Sequence, residues 1–560
     1  MNETKLTLTI ILLFGLITIS CNLKKTTPRG EFFDNFEDGN LREYRVAGIE
    51  ITHNGLISNY SAERSRSGFG YAYNPNLVLK NKVGEVSIVF TIESDETRPG
   101  VGFLSGDGTR VYLVADPGEH EMRVERRIKN YSIFDVIPKG DQKPSWKERR
   151  DIDSFYIWEV ESVLIGGMST GKQYRLKLYF SRASKCIMGI LQEVSSDSVL
   201  GRVRTIVDVA PENPFFFSDG PAIFDNFYFK SPLDDWVYSW MPIPHRDNPS
   251  PGESPSDPVL VPNENYSWQY PFGLANPEVW RENREFYAVY RSFNLDNPGQ
   301  VRYHGLALSN DGIHWATDSV KIAYGEDPVI VHRPFGGNKH YVLQPSNIIK
   351  DKYQGVNFVQ AGDEVPYGNA SKEVIDTEKY PQLDRVTYNG ESYRFIKFVE
   401  KYGGNHAGYV AFSKDLKHWK GPKEELLPPQ EDGWANLGRP IGAAFVQPDG
   451  DIRVFYTACT DEGYVNGDEA GIASAVVDGK KPWQVIKESE IGLPFFPIYP
   501  GKKGGGNDSR RVEFDLAHWD DGPQFPGSLV MISEENKVFF YYGANDQYTG
   551  LAVATIEGKR

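Results

Sequence analysis

Four stretches in the second half of this 560-residue chain repeat one pattern, and that repeat limits what the chain can fold into. They are "EFYAVYRS…HGLALSNDGIHW", "YRFIKFVEKYGGNHAGYVAFSKDLKHW", "IRVFYTACTDEG…AGIASAVVDGKKPW" and "KVFFYYGANDQYTGLAVATIEGK". Each has an aromatic-rich strand, a loop, then Gly followed by a small or apolar strand. Three add an acidic turn and a Trp: Asp311 with Trp315, Asp415 with Trp419, Asp478 with Trp483. "HYVLQPSN", from His340 to Asn347, supplies the aromatic strand of a further unit. A unit of this size cannot bury its own faces, so neighbours must stack. Five units over residues 263–560 predict a five-bladed β-propeller.

A second regularity lies upstream of each aromatic strand, where an X-Pro step recurs: Asn276-Pro277, Asp327-Pro328, Tyr380-Pro381, Arg439-Pro440 and Phe525-Pro526. Proline at a strand's first residue sacrifices no needed ladder bond and forces the preceding residue into extended backbone. In a propeller the innermost strand of every blade starts at one face beside the axis. The five steps therefore predict five fixed side chains around one pocket, Asp327 of "AYGEDPVIVHRPFGGNKHYVL" among them.

From 31 to 230 the pattern is alternating strands with turn signals, for example "VSIVFTIES", "YRLKLYFSR" and "VRTIVDV". "FFDNFEDGNL" opens this segment and "PAIFDNFYFK" closes it, which predicts that its first and last strands pair in one sheet. The expected unit is a β-sandwich, and the framing resembles that of jelly-roll modules. The proline-rich segment 231–262 reads as a stiff linker without helix or ladder. The chain is thus expected to be all-β throughout. An aromatic share of 13% suits such a fold and suits sugar-binding surfaces, while a net charge of −15 argues against a nucleic-acid partner.

Three resemblances extend this reading. The framing of residues 31–230 resembles the concanavalin-like modules attached to glycosidases. Residues 1–20 end an apolar run at Ser20-Cys21 and resemble a bacterial lipoprotein signal. This implies lipidation at Cys21, a tether over 21–30 and a place in the cell envelope, facing the periplasm or exposed on the outer membrane. The Asp-Pro step, the turns "SNDGIHW" and "SKDLKHW" and the ending "YYGANDQYTGLAVATIE" resemble glycoside hydrolase families 43, 117 and 130, over about 300 residues. That resemblance implies hydrolysis of a glycosidic bond by carboxylates from the first blades. Blade one departs from the family 43 pattern, carrying Asn276 where that family has its base.

Glycoside hydrolysis generally needs two carboxyls flanking the scissile bond, one of them kept protonated by its surroundings. Asp327, at a strand opening, and Glu400, ending a neighbouring strand, are expected at the same face as catalytic groups. Glu278 is the third candidate, sharing the face of Asn276 by period two. Glu326 faces the other way. Arg291, Arg439, Asn276, Trp434, His518 and Asp546 are the expected substrate contacts, with His406 a further polar candidate. Asp327 has a bland alternative, closing a loop, and Arg439 another, an internal ion pair. No cofactor is expected and no metal-ligand spacing occurs, although axial loop oxygens would suit a structural Ca²⁺. Cys186 and Cys459 read as small buried hydrophobes. The expected partners are a carbohydrate and a membrane; a glycan-binding lipoprotein without catalysis is the alternative.

Overall fold

The computed structural model describes residues between 31 and 556, apart from 35–44, 48–49, 53–54, 59–69, 74, 78–82, 96, 106–108, 130–147, 151–154, 182–185, 197, 207–210, 220–221, 231–239, 245–255, 270–272, 294–301, 326, 344–346, 362–370, 401–406, 430–437, 459–470, 489–523 and 545–547. Regular structure among the described residues is β-strand with short 3₁₀ turns.

The N-terminal half forms two eight-stranded antiparallel sheets around one apolar core. Val86, Ile88 and Phe90 of one sheet and Val101, Phe103, Val111 and Leu113 of the other all lie in that core. Their period-two spacing is the strand pattern of the sequence, with one side chain in two pointing inward. Glu31–Asp34 pairs antiparallel with Ala222–Lys230, Phe32 opposite Phe229. The two Phe-Asp-Asn-Phe copies do mark adjacent strands.

The C-terminal half forms five main sheets, antiparallel except in the second, where Lys339–Leu343 runs parallel to Val356–Gln360. Their opening strands are Gly273–Glu282, Val329–His332, Ser371–Asp376, Ile441–Val446 and Gln524–Ile532. The aromatic strands of the repeat come second in each sheet, at Glu285–Phe293, Lys339–Leu343, Phe395–Glu400, Ile452–Ala458 and Lys537–Ala544. The opening strands of sheets two and three, three and four, four and five, and five and one lie against each other. Side chains complete the circuit between sheets one and two: Asn276 Nδ2 donates to Asp327 Oδ1 at 2.8 Å, and the Trp280 and His332 rings meet at 4.7 Å.

The acidic turns follow the sequence reading. Asp311 Oδ1 accepts from the backbone N–H of Ile313 and His314, and Asp415 Oδ1 does the same for Lys417 and His418. Trp315 and Trp419 then each donate their indole N–H to a carbonyl of their own turn.

Two expectations need correction. The proline-rich linker does join a ladder: Met241–Ile243 pairs with the last strand, Met241 opposite Val553 and Ile243 opposite Leu551. It forms the outer edge of the fifth sheet, where the missing N–H of Pro242 costs no ladder bond. Trp240 beside it is buried against Phe455 and Phe540. Nor does Tyr380-Pro381 open a strand. The third opening strand starts at Ser371 and ends at Asp376, whose carboxylate then caps the turn Thr377–Lys379 by accepting from Glu378 N–H.

The sandwich is docked rather than strung on its connector. Tyr179 and Ile190 point away from the sandwich core and are buried in a cluster with Ile375 and Ile441 of the third and fourth sheets and with Leu383 and Val386 of the segment that follows the third opening strand.

Candidate functional site

Four of the five opening strands share an irregularity near their start. Register shifts fall between Ala275 and Glu278, Ser371 and Glu373, Ile441 and Ala443, and Pro526 and Ser528. Such a bulge re-aims the side chain that follows it. The first residues past the bulges are Glu278, Glu373, Ala443 and Ser528, so sheets one and three place a carboxyl at corresponding positions.

Glu278 is 8% exposed. Burial, and then the negative charge of Glu373, hold its carboxyl well above the usual carboxylate range. Glu373, half-buried, is pushed up to about 8 by burial, against the backbone N–H groups of Val374 and Ala444 that favour its ionised form. Tyr380 lies beside both acids; burial, then Glu373 and Glu278, push its phenol up to about 12. Two desolvated carboxyls in each other's field cannot both ionise near neutrality, so one retains a proton.

Ser528 fixes the peptide units on either side of Glu278. Its hydroxyl donates to Pro277 C=O at 3.2 Å and accepts from Val279 N–H at 2.8 Å. Gly527 lets the fifth strand come this close, since a Cβ there would sit 2.7 Å from Tyr541 O and 3.1 Å from Pro277 O.

A second group of polar residues surrounds Asp327. Its Oδ1 accepts from Arg291 Nη1 and from Asn276 Nδ2, both at 2.8 Å. Arg291 is 5% exposed, and His304 beside the pair is wholly buried. Burial pushes His304 down to about 4, against the pull of Asp327. Asn276 holds φ at +49°, a conformation Asn tolerates better than most residues. Its Oδ1 presses on Gly543, where a Cβ would stand only 2.3 Å away.

The expected site residues thus fall into three sets. Asn276, Arg291 and Asp327 come together, but through contacts with one another: Arg291 and Asp327 form a largely buried ion pair. Glu278 lies in the electrostatic field of Glu373, which the sequence reading missed because no proline precedes it. The signal that could have found it is "SKEVID", an acid early in a short apolar run before the aromatic strand. Arg439 lies elsewhere, with Nη1 3.0 Å from Glu488 Oε2 and Nε donating to Pro428 C=O. That is the internal ion pair of the alternative reading, with the guanidinium enclosed at 3% exposure. Glu400 ends the Phe395–Glu400 strand, its side chain outside the described residues. Residues 1–30 with Cys21, and also Glu326, His406, Trp434, Cys459, His518 and Asp546, lie outside the described residues, as does the side chain of Cys186.

No family model matches this chain, and no curated protein matches it. Solved structures resemble it at low identity. A glycosyl hydrolase from Bacteroides ovatus is 18% identical, covering 54% of this chain and 92% of its own, with a TM-score of 0.39. A structure from the GH130 family of mannoside phosphorylases, which contains glycoside hydrolases that target β-1,2 mannosidic linkages in Candida mannan, is 17% identical over 54% of this chain and 92% of its own, TM-score 0.39. Arcelin-5, a lectin-like defence protein from Phaseolus vulgaris, is 11% identical over 36% of this chain and 97% of its own, TM-score 0.24. At such scores these likenesses assign neither activity nor substrate.

Proposed function

We propose that this protein is an exported, lipid-anchored glycoside hydrolase. Its catalytic unit is a five-bladed propeller over 263–560, preceded by a jelly-roll sandwich over 31–230. The circuit of five opening strands supports the propeller, and Cys21 is the lipidation site. The observation that carries the enzyme reading is the Glu278–Glu373 pair, two desolvated carboxyls at matching bulges of opening strands. In this reading Glu278 holds the proton and gives it to the leaving glycosidic oxygen. Glu373, the more accessible of the two, acts on the opposite side of the bond as base or nucleophile in its ionised form, whose share grows as pH rises toward about 8. Asp327, matched by Arg291 and Asn276, supports the pocket wall and tunes its field. The substrate is a poly- or oligosaccharide arriving from outside the cell, and the anchor at Cys21 holds the enzyme at the envelope.

The second reading is a glycan-binding lipoprotein without catalysis, favoured by Asn276 at the first opening strand and by the internal pairing of Asp327. Release of reducing ends from a panel of aryl glycosides and polysaccharides separates the two. Wild-type activity abolished in E278Q and E373Q supports hydrolysis. Glycan binding that persists in all three proteins without turnover supports the binder.

A further inference from the structure

Beneath the carboxylate pair lies a histidine pair with no part in the chemistry just described. His332 ends the opening strand Val329–His332, and His340 faces it across the hairpin in the next strand. Their Nδ1 atoms are 3.0 Å apart. Trp280, two residues beyond Glu278 on the same strand, packs on both imidazoles, with ring centroids 4.7 and 5.3 Å away. The remaining nitrogen of His332, Nε2, stands 3.8 Å from Glu278 Oε1. Lys379 donates its ammonium to the His332 carbonyl, fixing the same end of the strand.

An Nδ1 to Nδ1 hydrogen bond needs one ring to donate and the other to accept, so the rings cannot both be protonated. Two surrounding cations, Lys379 and Arg333, oppose protonation of either ring. Burial acts in the same direction, taking His340 down to about 4 and His332 well below its usual value. The acids facing this group are Glu278, with Glu373 and Tyr380 beyond it, and Glu282, which is paired with Arg333. An uncharged imidazole therefore stands 3.8 Å from the Glu278 carboxyl. A protonated one there would pull Glu278 into its ionised form.

We propose that His332, oriented by His340 and Trp280, is a positioning residue for Glu278, presenting an uncharged ring nitrogen that aligns its carboxyl and preserves its acid form. This rests on the reading of Glu278 as the proton donor.

Two substitutions test it with opposite signs. In H332R a fixed cation replaces the uncharged ring and lowers the Glu278 pKa by about one unit or more. In H332F no such charge can form, and the Glu278 pKa stays or rises. Carboxyl ¹³C NMR with labelled glutamate, assigned by difference against E278Q, reads that pKa directly and without substrate. Where turnover is measured, the alkaline limb of the rate profile should move down in H332R alone. H332F should lose about tenfold in kcat at unchanged KM, less than removal of the general acid itself would cost. Thermal melts check that both variants fold. A folded H332R with an unshifted Glu278, or both variants shifting it equally, overturns the proposal. Full activity in E278Q would instead overturn the catalytic reading of Glu278, so the two failures are distinguishable.

Discussion

Replacing Glu373 by Gln should stabilise this protein, and increasingly so as pH rises. A carboxyl that titrates at about 8 when folded and near 4.5 when unfolded takes up a proton on folding anywhere between those values. Folding is then disfavoured by about 1.4 kcal/mol for each pH unit above 4.5 until pH 8 is reached. The worked cost is under about 1 kcal/mol at pH 5 and about 3 kcal/mol at pH 7. Solvent reaches half-buried Glu373 and screens part of this, so a gain for E373Q of about 1–2 kcal/mol at pH 7 is the expectation. Glutamine keeps the shape and the acceptor oxygen for Val374 N–H, while removing the group that resists ionisation. Urea unfolding of wild type and E373Q at pH 5, 6, 7 and 8 measures the difference between their midpoints. That difference should widen steadily in favour of E373Q, while hydrolysis is lost. A constant difference, or a wild type that gains on the variant above pH 7, would refute the buried acid pair on which the enzyme reading depends.

Other expectations follow from the same geometry. Arg291→Met leaves Asp327 enclosed without its cation and should cost about 3–5 kcal/mol; the double variant R291M/D327N should recover part of this in a melting curve, and no recovery would deny that the two act as a pair. Ser528→Ala removes a hydroxyl that bridges Pro277 and Val279, with about 1–2 kcal/mol lost in urea unfolding and a lower kcat. Gly543→Ala places a methyl carbon 2.3 Å from Asn276 Oδ1 and should cost about 1–3 kcal/mol by the same measurement. His304, at about 4 folded against 6.5 unfolded, adds stability that is fully present above pH 6.5 and lost as pH falls toward 4, about 3 kcal/mol in all; His304→Asn should flatten the acid limb of a fluorescence-monitored unfolding curve.

Much of this architecture is written in local pattern. The aromatic strands, the Gly-led third strands and the Asp-anchored turns of "SNDGIHW" and "SKDLKHW" all stand where the repeat places them, because each depends on residues a few positions apart. The paired copies of Phe-Asp-Asn-Phe reveal one long-range contact only because the sequence repeats itself. Proline directly precedes the opening strands at Asp327-Pro328 and Arg439-Pro440 but lies inside them at Pro277 and Pro526, with Asn276 at φ +49° rather than extended. It misled at Tyr380-Pro381, since rigid extended backbone is equally useful in a loop that leaves a strand. Proline also misled in the linker: a residue that cannot sit inside a sheet can still line its edge.

By itself the sequence determined which segments become strands, how many units stack and which side chains stand near strand openings. Alternation and turn chemistry are properties of neighbours along the chain. Only the tertiary structure decided which acids face each other. It joined Asp327 to Arg291, Arg439 to Glu488 and Glu278 to Glu373, partners 36 to 95 positions apart. Whether a carboxyl is neutralised by an enclosed guanidinium or driven to keep its proton by a second carboxyl depends on burial and on charges brought in from other sheets. Those quantities exist only once the sheets have packed.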